Sequence, residues 1–291
     1  MQPVIKWSGS KRSQAEDIVG YIPDKNYNTY YEPFCGGCSI LAYIIEREAL
    51  ANKFKSFICS DLNKDLINSY NFIKFNPDKI IKDYYDNWNE MNKETNSKDD
   101  KRKYFELIRE RLNKKHEPSD FIFVMRTTTN GMPRYNKKGE FNNSFHITRN
   151  GITPDKFENI VHQWNHYLNK YDVQFIHQSF DKINPSENDL VYLDPPYANT
   201  KGMYFSNFDN TSLFTFLSHL KCDWLMSYDG IAGNINLVSE VPENLFKRHL
   251  FIESGNSSFR RVIGKDKNCN VKESLYLSYE PDTMMENSYL F

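Results

Sequence analysis

Leu190-Val191-Tyr192-Leu193-Asp194-Pro195-Pro196-Tyr197 joins a short apolar run to an acid, two prolines and an aromatic ring. An uninterrupted apolar run of this length is typical of a buried strand in a parallel sheet. In open α/β sheets, ligands bind beyond the carboxyl ends of such strands, which is where Asp194 falls. The stretch therefore predicts both a strand and a functional site at its end.

Similar apolar runs, rich in β-branched and aromatic residues, recur along the chain. Two of them are followed by helical patterns, at residues 39–50 and at residues 62–75, the second opened by Asp61. Alternation of strands and helices predicts an α/β fold with a parallel sheet. The other predicted strands lie at 28–34, 56–60, 173–177, 224–227, 249–253 and 274–279.

This alternation lapses between about residues 76 and 170, where lysine and asparagine are frequent and a charged helical pattern covers 100–115. Residues 101–150 carry 12 Lys and Arg against 5 Asp and Glu, whereas the rest of the chain carries 25 against 33. Such a segment suits an anionic partner, although a solvated basic helix also explains it. We therefore predict an α/β domain formed by 1–75 and 171–291, with a mainly helical domain inserted at 76–170.

The composition is that of a soluble globular protein, with 39% hydrophobic and 26% charged residues among 291. An odd number of cysteines, five, without a secretory signal favours reduced thiols in a cytoplasm. Cys35 and Cys38 form a CxxC, but no second pair follows at zinc spacing, so the glycines between them favour a backbone role over a metal or redox site. No apolar stretch has the length of a membrane span.

The residues 194–197 suit chemistry on an aromatic amine, whose lone pair is delocalised into its ring. The Asp194 carboxylate and the Pro195 carbonyl can accept hydrogen bonds from the amine and favour a more tetrahedral nitrogen. Pro195 and Pro196 fix the backbone, and Tyr197 can stack on a base. A proline-terminated strand with an acidic helix cap is the structural alternative.

A second strand runs into the sequence Tyr-Glu-Pro-Phe-Cys-Gly-Gly-Cys-Ser at 31–39. Glycines there allow the backbone to approach a nucleoside closely, while the spacing differs from GxGxxG and disfavours a nicotinamide dinucleotide. Asp61 ends the next predicted strand, where an acid often binds ribose hydroxyls. A helix N-cap is the alternative for Asp61.

With these motifs in this order, the chain resembles the Dam-type (D12 class, alpha-group) adenine-N6 DNA methyltransferases. Residues 6–11 are similar to the family's KWxGxK opening, 32–39 to its EPFxGGxS loop, and 194–197 to its DPPY motif. The resemblance implies a Rossmann-like fold, in which 1–75 and 171–291 form the catalytic methyltransferase domain and 76–170 form the DNA target-recognition domain. It implies S-adenosylmethionine as methyl donor, double-stranded DNA as partner and no metal. It also implies that the target adenine is flipped out of the duplex to reach Asp194, Pro195, Pro196 and Tyr197.

Carried over to this sequence, the resemblance implies a set of cofactor-binding residues. Ser179 stands where the family often has the aspartate of an Asp-Phe pair. The structural alternative for Trp7 is a core aromatic, and that for Lys11 is a solvated charge on a helix. The set comprises Trp7, Ser8, Gly9 and Lys11 at the methionine end, Phe34 and Gly36 beneath it, Asp61 at the ribose, Ser179 and Phe180 near the adenine, and Asp194.

Residues 127–145 resemble the family's DNA-reading hairpin, with its NGxxRYNxxGEFN pattern at 130–142. Arg134 suits a guanine edge, which a guanidinium can bond bidentately. Members that read GATC usually continue FNxPFG, whereas residues 141–146 here read Phe-Asn-Asn-Ser-Phe-His, so the resemblance does not extend to GATC. The implied DNA contacts in this hairpin are Asn130, Arg134 and Asn136, with Met132 as a wedge or thymine contact and Lys137 and Lys138 at phosphates. Arg260 and Arg261, in a later loop, are also implied to contact phosphates. The alternative for that loop is an ordinary exposed hairpin.

Two rival functions are weighed against this one. Related PP-Y/F motifs serve cytosine-N4, RNA-base and protein-glutamine methylases, but Asp at 194 and the basic insert favour adenine in DNA. A non-catalytic DNA-binding module is opposed by the intact Asp194 and glycine loop. The resemblance further implies a bacterial or phage cytoplasm near the nucleoid and a monomer or weak dimer, and it leaves a cognate restriction endonuclease open.

Overall fold

The apolar runs of the sequence become neighbouring strands of a sheet flanked by helices. The computed structural model describes residues 1–148, 150–196, 208–232, 235–254, 271–282 and 288–290. The strands are β1 (Tyr27–Pro33), β2 (Phe54–Asp61), β3 (Gln174–His177), β4 (Leu190–Leu193), β5 (Asp223–Ala232), β6 (Ile235–Asn236), β7 (Arg248–Ser254), β8 (Val271–Leu277) and β9 (Ser288–Leu290). The helices are α1 (Ala15–Gly20), α2 (Ser39–Ile45), α3 (Glu48–Ala51), α4 (Lys64–Phe75), α5 (Pro77–Met91), α6 (Lys98–Lys115), α7 (Pro118–Thr127), α8 (Pro154–Lys170) and α9 (Asn210–His219).

These elements group into two compact units. The first contains Met1–Ser8 and Asn63–His177, and the second contains Gly9–Leu62 and the described parts of Gln178–Lys201 and Ser206–Phe291. The predicted insert at 76–170 thus lies within a unit that also includes α4, β3 and the first eight residues. The functional division of the chain into catalytic and recognition domains remains a prediction.

The sheet of the second unit follows the order β2-β1-β4-β5-β8-β7-β9, with β6 paired to β5. β2, β1, β4 and β5 run parallel, whereas β8, β7 and β9 add antiparallel pairings. All four residues of β4 are fully buried, because a strand between two parallel neighbours is covered on both faces. The predicted α/β, Rossmann-like fold class is therefore confirmed.

The first unit is mainly helical and has a core of aromatic rings. Tyr84 of α5 stacks on Phe157 of α8 with 3.9 Å between ring centroids, and Tyr70 of α4 stacks on Phe175 of β3 at 4.7 Å. The basic helix α6 buries Phe105, Ile108 and Leu112, and most of its charged side chains are exposed. Within the ranges described, no helix is long and apolar enough to cross a bilayer.

Three local predictions differ from the structure. The predicted helix at 39–50 is two helices, because α2 ends at Ile45 and α3 begins at Glu48. Asp61 ends β2 and does not open α4, which begins after Asn63, whose side-chain oxygen accepts from the Leu66 amide. The charged helix begins at Lys98, two residues earlier than predicted, because Ser97 and Asp100 form a capping box.

Candidate active site

The second unit has its topological switch point between β1 and β4. β1 pairs with β2, the next strand along the chain, on one side. On its other side it pairs with β4, which comes much later in the sequence. In open α/β sheets, ligands bind at such a point, outside the carboxyl ends of the strands. The glycine loop and Asp194 follow these two strand ends directly.

The glycine loop after β1 has an unusual backbone. Phe34, Gly36 and Cys38 have φ values of 64°, 45° and 51°, in the left-handed region that non-glycine residues rarely adopt. The loop is tied to β2, because the Gly36 amide donates to Asp61 Oδ2 at 3.1 Å and the Cys35 amide donates to the Ser60 carbonyl at 3.0 Å. The structure therefore brings the predicted residues Gly36 and Asp61 together.

Glu32, the last polar side chain before this loop, anchors β1 to α2. It is buried, and its Oε2 accepts from the Tyr30 hydroxyl at 2.8 Å and from the Leu41 amide at 2.9 Å. Burial raises the pKa of Glu32 well above its ordinary value. The sequence motif includes Glu32, but its spacing does not reveal this contact with the first turn of α2.

An aromatic cluster lies beside the glycine loop. Phe34 and Phe180, both predicted cofactor residues, stack with centroids 5.0 Å apart and an interplanar angle of 28°. Phe208 packs edge-on against Phe34 at 5.6 Å, and Phe216 packs edge-on against Phe180 at 5.4 Å. Phe208 and Phe216 were not predicted. Phe208 lies two residues before α9 and Phe216 lies within it, and no local sequence pattern distinguishes these two rings from core residues. The half-buried rings of the cluster are a suitable surface for a flat heterocycle.

Ser179, next to Phe180, has a local partner. A hydrogen bond from its side chain is the largest cause that lowers the pKa of Asp181. Its carbonyl accepts from the Lys182 amide at 3.1 Å in the short turn Phe180–Lys182. The predicted contact of Ser179 with a nucleoside must therefore compete with the hydrogen bond to Asp181.

Asp194 is paired with a buried lysine. The Lys11 ammonium donates to Oδ2 of Asp194 at 2.9 Å and lies 2.8 Å from Oδ1, so it contacts both carboxylate oxygens. Glu273 of β8 lies 3.6 Å from the same ammonium. Lys11 is only 5% exposed, which contradicts the alternative of a solvated helix charge, while Asp194 keeps 22% exposure. Lys11 thus fixes the orientation of Asp194 and leaves the carboxylate accessible to a ligand.

The residues around Asp194 restrict its motion further. Pro195 is buried and Pro196 is half-buried, whereas Tyr197 lies outside the described residues. Beneath them, the Tyr192 hydroxyl and Ser227 Oγ are 2.9 Å apart across β4 and β5. Burial, and then the nearby Asp194, raise the pKa of Tyr192, so that phenol stays neutral. The carboxylate therefore stands at the end of a rigid strand.

The cysteines near the glycine loop are buried free thiols. Cys35, Cys38 and Cys59 are at most 4% exposed and form no disulfide. Burial raises the pKa of the Cys35 and Cys59 thiols well above the ordinary value, which removes thiolate character. The structure agrees with a packing role for the CxxC.

The DNA-reading hairpin predicted at 127–145 belongs to the first unit. Antiparallel bridges join Thr128 to Phe145 and Tyr135 to Phe141. The turn is closed by Asn136, whose Oδ1 accepts from the Lys138 and Glu140 amides at 2.9 and 3.0 Å. Asn136 thus serves the turn itself, and its predicted DNA contact stays a prediction.

The other predicted DNA contacts differ in exposure. Asn130, Arg134, Lys137 and Lys138 are exposed, and Met132 is half-buried. These exposed side chains project from a backbone that neighbouring residues hold in place, as the contacts of Asn113 show. Its side chain pairs with both backbone groups of Phe141, accepting at 2.7 Å and donating at 3.0 Å. Arg260 and Arg261 lie outside the described residues.

The predicted cofactor motif at 6–11 divides between the two units. Trp7, half-buried, and Ser8 belong to the first unit, whereas Gly9 and Lys11 belong to the second. The Ser8 amide donates to the Gly131 carbonyl of the hairpin at 3.0 Å. The sequence motif gives no sign of this division.

Known proteins are similar to this chain over most of its length. The family model for the D12 class N6 adenine-specific DNA methyltransferase matches residues 7–253. A Type II methyltransferase, M.CviBI from Paramecium bursaria Chlorella virus NC1A, is 28% identical over 257 residues, which cover 83% of this chain and 86% of that protein.

One further relative and one solved structure illustrate the range of similarity. A DNA adenine methylase from Haemophilus influenzae is 29% identical over 204 residues, covering 68% of this chain and 64% of that protein. Among solved structures, the rRNA methyltransferase aviRa from Streptomyces viridochromogenes matches with a TM-score of 0.42 and 10% identity, covering 95% of this chain and 89% of that one. Because the family model spans most of the sequence, the chain belongs to the D12 class of N6 adenine-specific DNA methyltransferases.

Proposed function

We propose that this chain methylates adenine N6 at a specific DNA site, takes the methyl group from S-adenosylmethionine, and flips the target base to the residues that follow β4. The observation that carries the proposal is the Asp194 carboxylate, held on both oxygens by buried Lys11 at the switch point of the sheet. A duplex conceals N6 from an enclosed donor, which is why base extrusion is part of the proposal.

The second unit has groups that fit the adenosine part of the cofactor. The stacked rings of Phe34 and Phe180 suit its adenine, and the Asp61 carboxylate, bonded to the Gly36 amide, suits ribose hydroxyls. The left-handed backbone at Gly36 brings main chain close to the same place. Bound there, S-adenosylmethionine would supply an electrophilic methyl group on a sulfonium.

The residues after β4 then act on the amine. Asp194 and the Pro195 carbonyl accept its two N–H groups, which directs the nitrogen lone pair toward the methyl carbon. With the donor bound, the N–C bond would form as the S–C bond breaks, S-adenosylhomocysteine would leave, and the methylated nitrogen would release one proton to water. A carboxylate oxygen has two acceptor positions, so the bonds from Lys11 leave capacity for the amine. The catalysis comes from positioning and from fixed acceptors.

Parallel incubation of the enzyme with labelled S-adenosylmethionine and DNA, RNA or protein tests the substrate. We expect label in N6-methyladenine of double-stranded DNA. Asp194→Ala should reduce the rate by about 100-fold or more and leave binding of S-adenosylhomocysteine measurable. A variant that keeps more than about a tenth of the wild-type rate contradicts the role of Asp194.

Asp223→Ala is a matched control. Asp223 has the same 22% exposure as Asp194 and is also paired, with Lys25 Nζ at 2.6 Å and the Tyr27 hydroxyl at 2.9 Å. It begins β5 at the amino ends of the parallel strands, opposite to the site. Losing this carboxylate should cost little stability, because exposed ion pairs contribute little, and should leave the methylation rate within about twofold, because Asp223 lies at the opposite end of the strands.

A further inference from the structure

The first eight residues are built into the helical unit by buried side chains. Arg126 of α7 donates from Nε to the Val4 carbonyl at 2.8 Å and from Nη2 to the Pro3 carbonyl. Trp164 of α8 donates from Nε1 to the Gln2 carbonyl at 2.8 Å. Since α7 and α8 form the core of this unit, the N-terminal segment has a fixed position on it.

Gly131 of the DNA-reading hairpin fits closely against this segment. Its carbonyl accepts from the Ser8 amide at 3.0 Å, and its φ of +62° is left-handed. A Cβ at position 131 would lie 2.6 Å from Lys6 Cγ and 3.0 Å from the Lys6 carbonyl oxygen. No side chain fits there without displacing Lys6 or the loop.

The loop is held on its other side as well. The side-chain Nδ2 of Asn143 donates to the Thr129 and Met132 carbonyls, both at 3.0 Å. Arg109 in turn donates to the Asn143 carbonyl at 3.1 Å. The turn around Gly131 is therefore fixed between Asn143 and Ser8, and a displacement at one side must move the other.

Ser8 is followed directly by Gly9, and Lys11, the partner of Asp194, comes three residues after Ser8. We propose that the contact of Gly131 with Lys6 and Ser8 positions the N-terminal segment, and that it couples cofactor binding to the conformation of the DNA-reading hairpin. The proposal rests on the proposed function, since it needs S-adenosylmethionine to be the ligand of Ser8 and its neighbours.

Coupling of this kind is reciprocal. If bound cofactor orders the Ser8 segment, it also orders the hairpin around Gly131, and DNA affinity rises by the factor by which DNA raises cofactor affinity. Coupled sites typically show factors of about 5 to 150. Gly131 is then a positioning residue, acting on the cofactor through Lys6 and Ser8.

Gly131→Ala tests the proposal, with Gly139→Ala as its matched control. Gly139 lies in the same hairpin with a φ of +78°, but an added Cβ meets nothing within 4 Å, so the control has the same backbone strain without the Lys6 contact. Calorimetric titration of the DNA-free protein with S-adenosylhomocysteine should show Kd raised about fivefold or more by Gly131→Ala. Gly139→Ala should change Kd by less than about twofold.

A second measurement separates steric displacement from general damage. Lys6→Ala removes the Cγ and Cδ atoms that the new Cβ would meet, so Gly131→Ala should cost less affinity in that background. Equal losses in both backgrounds, equal effects of the two glycine variants, or wild-type affinity of Gly131→Ala each overturn the coupling. If the coupling fails but the wild-type protein binds S-adenosylhomocysteine, the proposed function stands. If the wild-type protein binds no S-adenosylhomocysteine, the proposed function itself is refuted.

Hydrogen exchange on the wild type needs no variant and serves if Gly131→Ala does not fold. Saturation with S-adenosylhomocysteine should slow amide exchange in the peptide that contains Ser8 and also in the peptide that contains Gly131. Slowing in the first peptide alone overturns the proposal, because the two segments would then respond independently.

Discussion

Replacing Lys11 with methionine should separate the two tasks of the ion pair, stability and orientation. At 2.8 Å and an effective dielectric constant of about 20, the attraction between Lys11 and Asp194 is roughly 6 kcal/mol before desolvation. Burying the ammonium offsets much of this gain. Removing only the lysine, however, leaves Asp194 facing Glu273, which lies 3.6 Å from the same ammonium.

The expected result is a loss of about 3–5 kcal/mol in the free energy of unfolding, the usual cost of removing one partner of a buried pair. Urea unfolding, followed by fluorescence and by circular dichroism, measures it. The methylation rate should fall by at least about 100-fold, because Asp194 loses its fixed orientation. Glu273→Gln in the Lys11→Met background should recover part of the stability by removing one of the two facing carboxylates.

Lys25→Met provides the comparison. Lys25 pairs with Asp223 at 2.6 Å, but its side chain is 53% exposed, so its loss should cost about 0–1 kcal/mol. A Lys11→Met variant that loses less than about 1 kcal/mol, or no more than Lys25→Met, would refute this account of the pair.

Three further predictions concern DNA and pH. Arg134→Ala should relax preference at a single G·C pair by roughly 5- to 150-fold, measured as methylation rates on singly substituted sites; a uniform loss would assign Arg134 to phosphate. Lys137→Ala with Lys138→Ala should flatten the salt dependence of duplex binding by about one to two units, and a changed methylation site would contradict their phosphate role. Burial lowers the pKa of His249 to about 4, so below pH 6.5 the unfolded chain binds a proton that the folded chain does not. Stability should fall by about 2 kcal/mol between pH 6.5 and 4, and an unchanged slope in His249→Phe would refute this cause.

The sequence predicted best those elements whose burial is uniform. β4 has the predicted bounds, because four apolar residues lie between a polar turn and two prolines that cannot continue the strand. β5 extends beyond the predicted 224–227, since its later residues pair with β6 and β8. Such pairing depends on residues distant in sequence, which no local pattern contains.

The sequence predicted which residues belong to the candidate site better than it predicted their contacts with one another. Motifs identified Asp194, Phe34 and Phe180, but the partners of these residues come from other parts of the chain. Lys11 lies 183 positions before Asp194, and nothing in its neighbourhood distinguishes a buried ion pair from a solvated charge. The position of the first eight residues likewise depends on Arg126 and Trp164, far along the chain.

The way in which the hairpin is held has a consequence for how specificity can evolve. The side chains of Asn113 and Asn143 hydrogen-bond to main-chain carbonyl and amide groups of the hairpin, and these groups do not depend on which side chains the hairpin carries. The exposed side chain of Arg134 is not part of that contact set. Substitutions at this predicted base-reading position can therefore accumulate without loss of the frame that presents it, so we expect one scaffold to serve different target sequences.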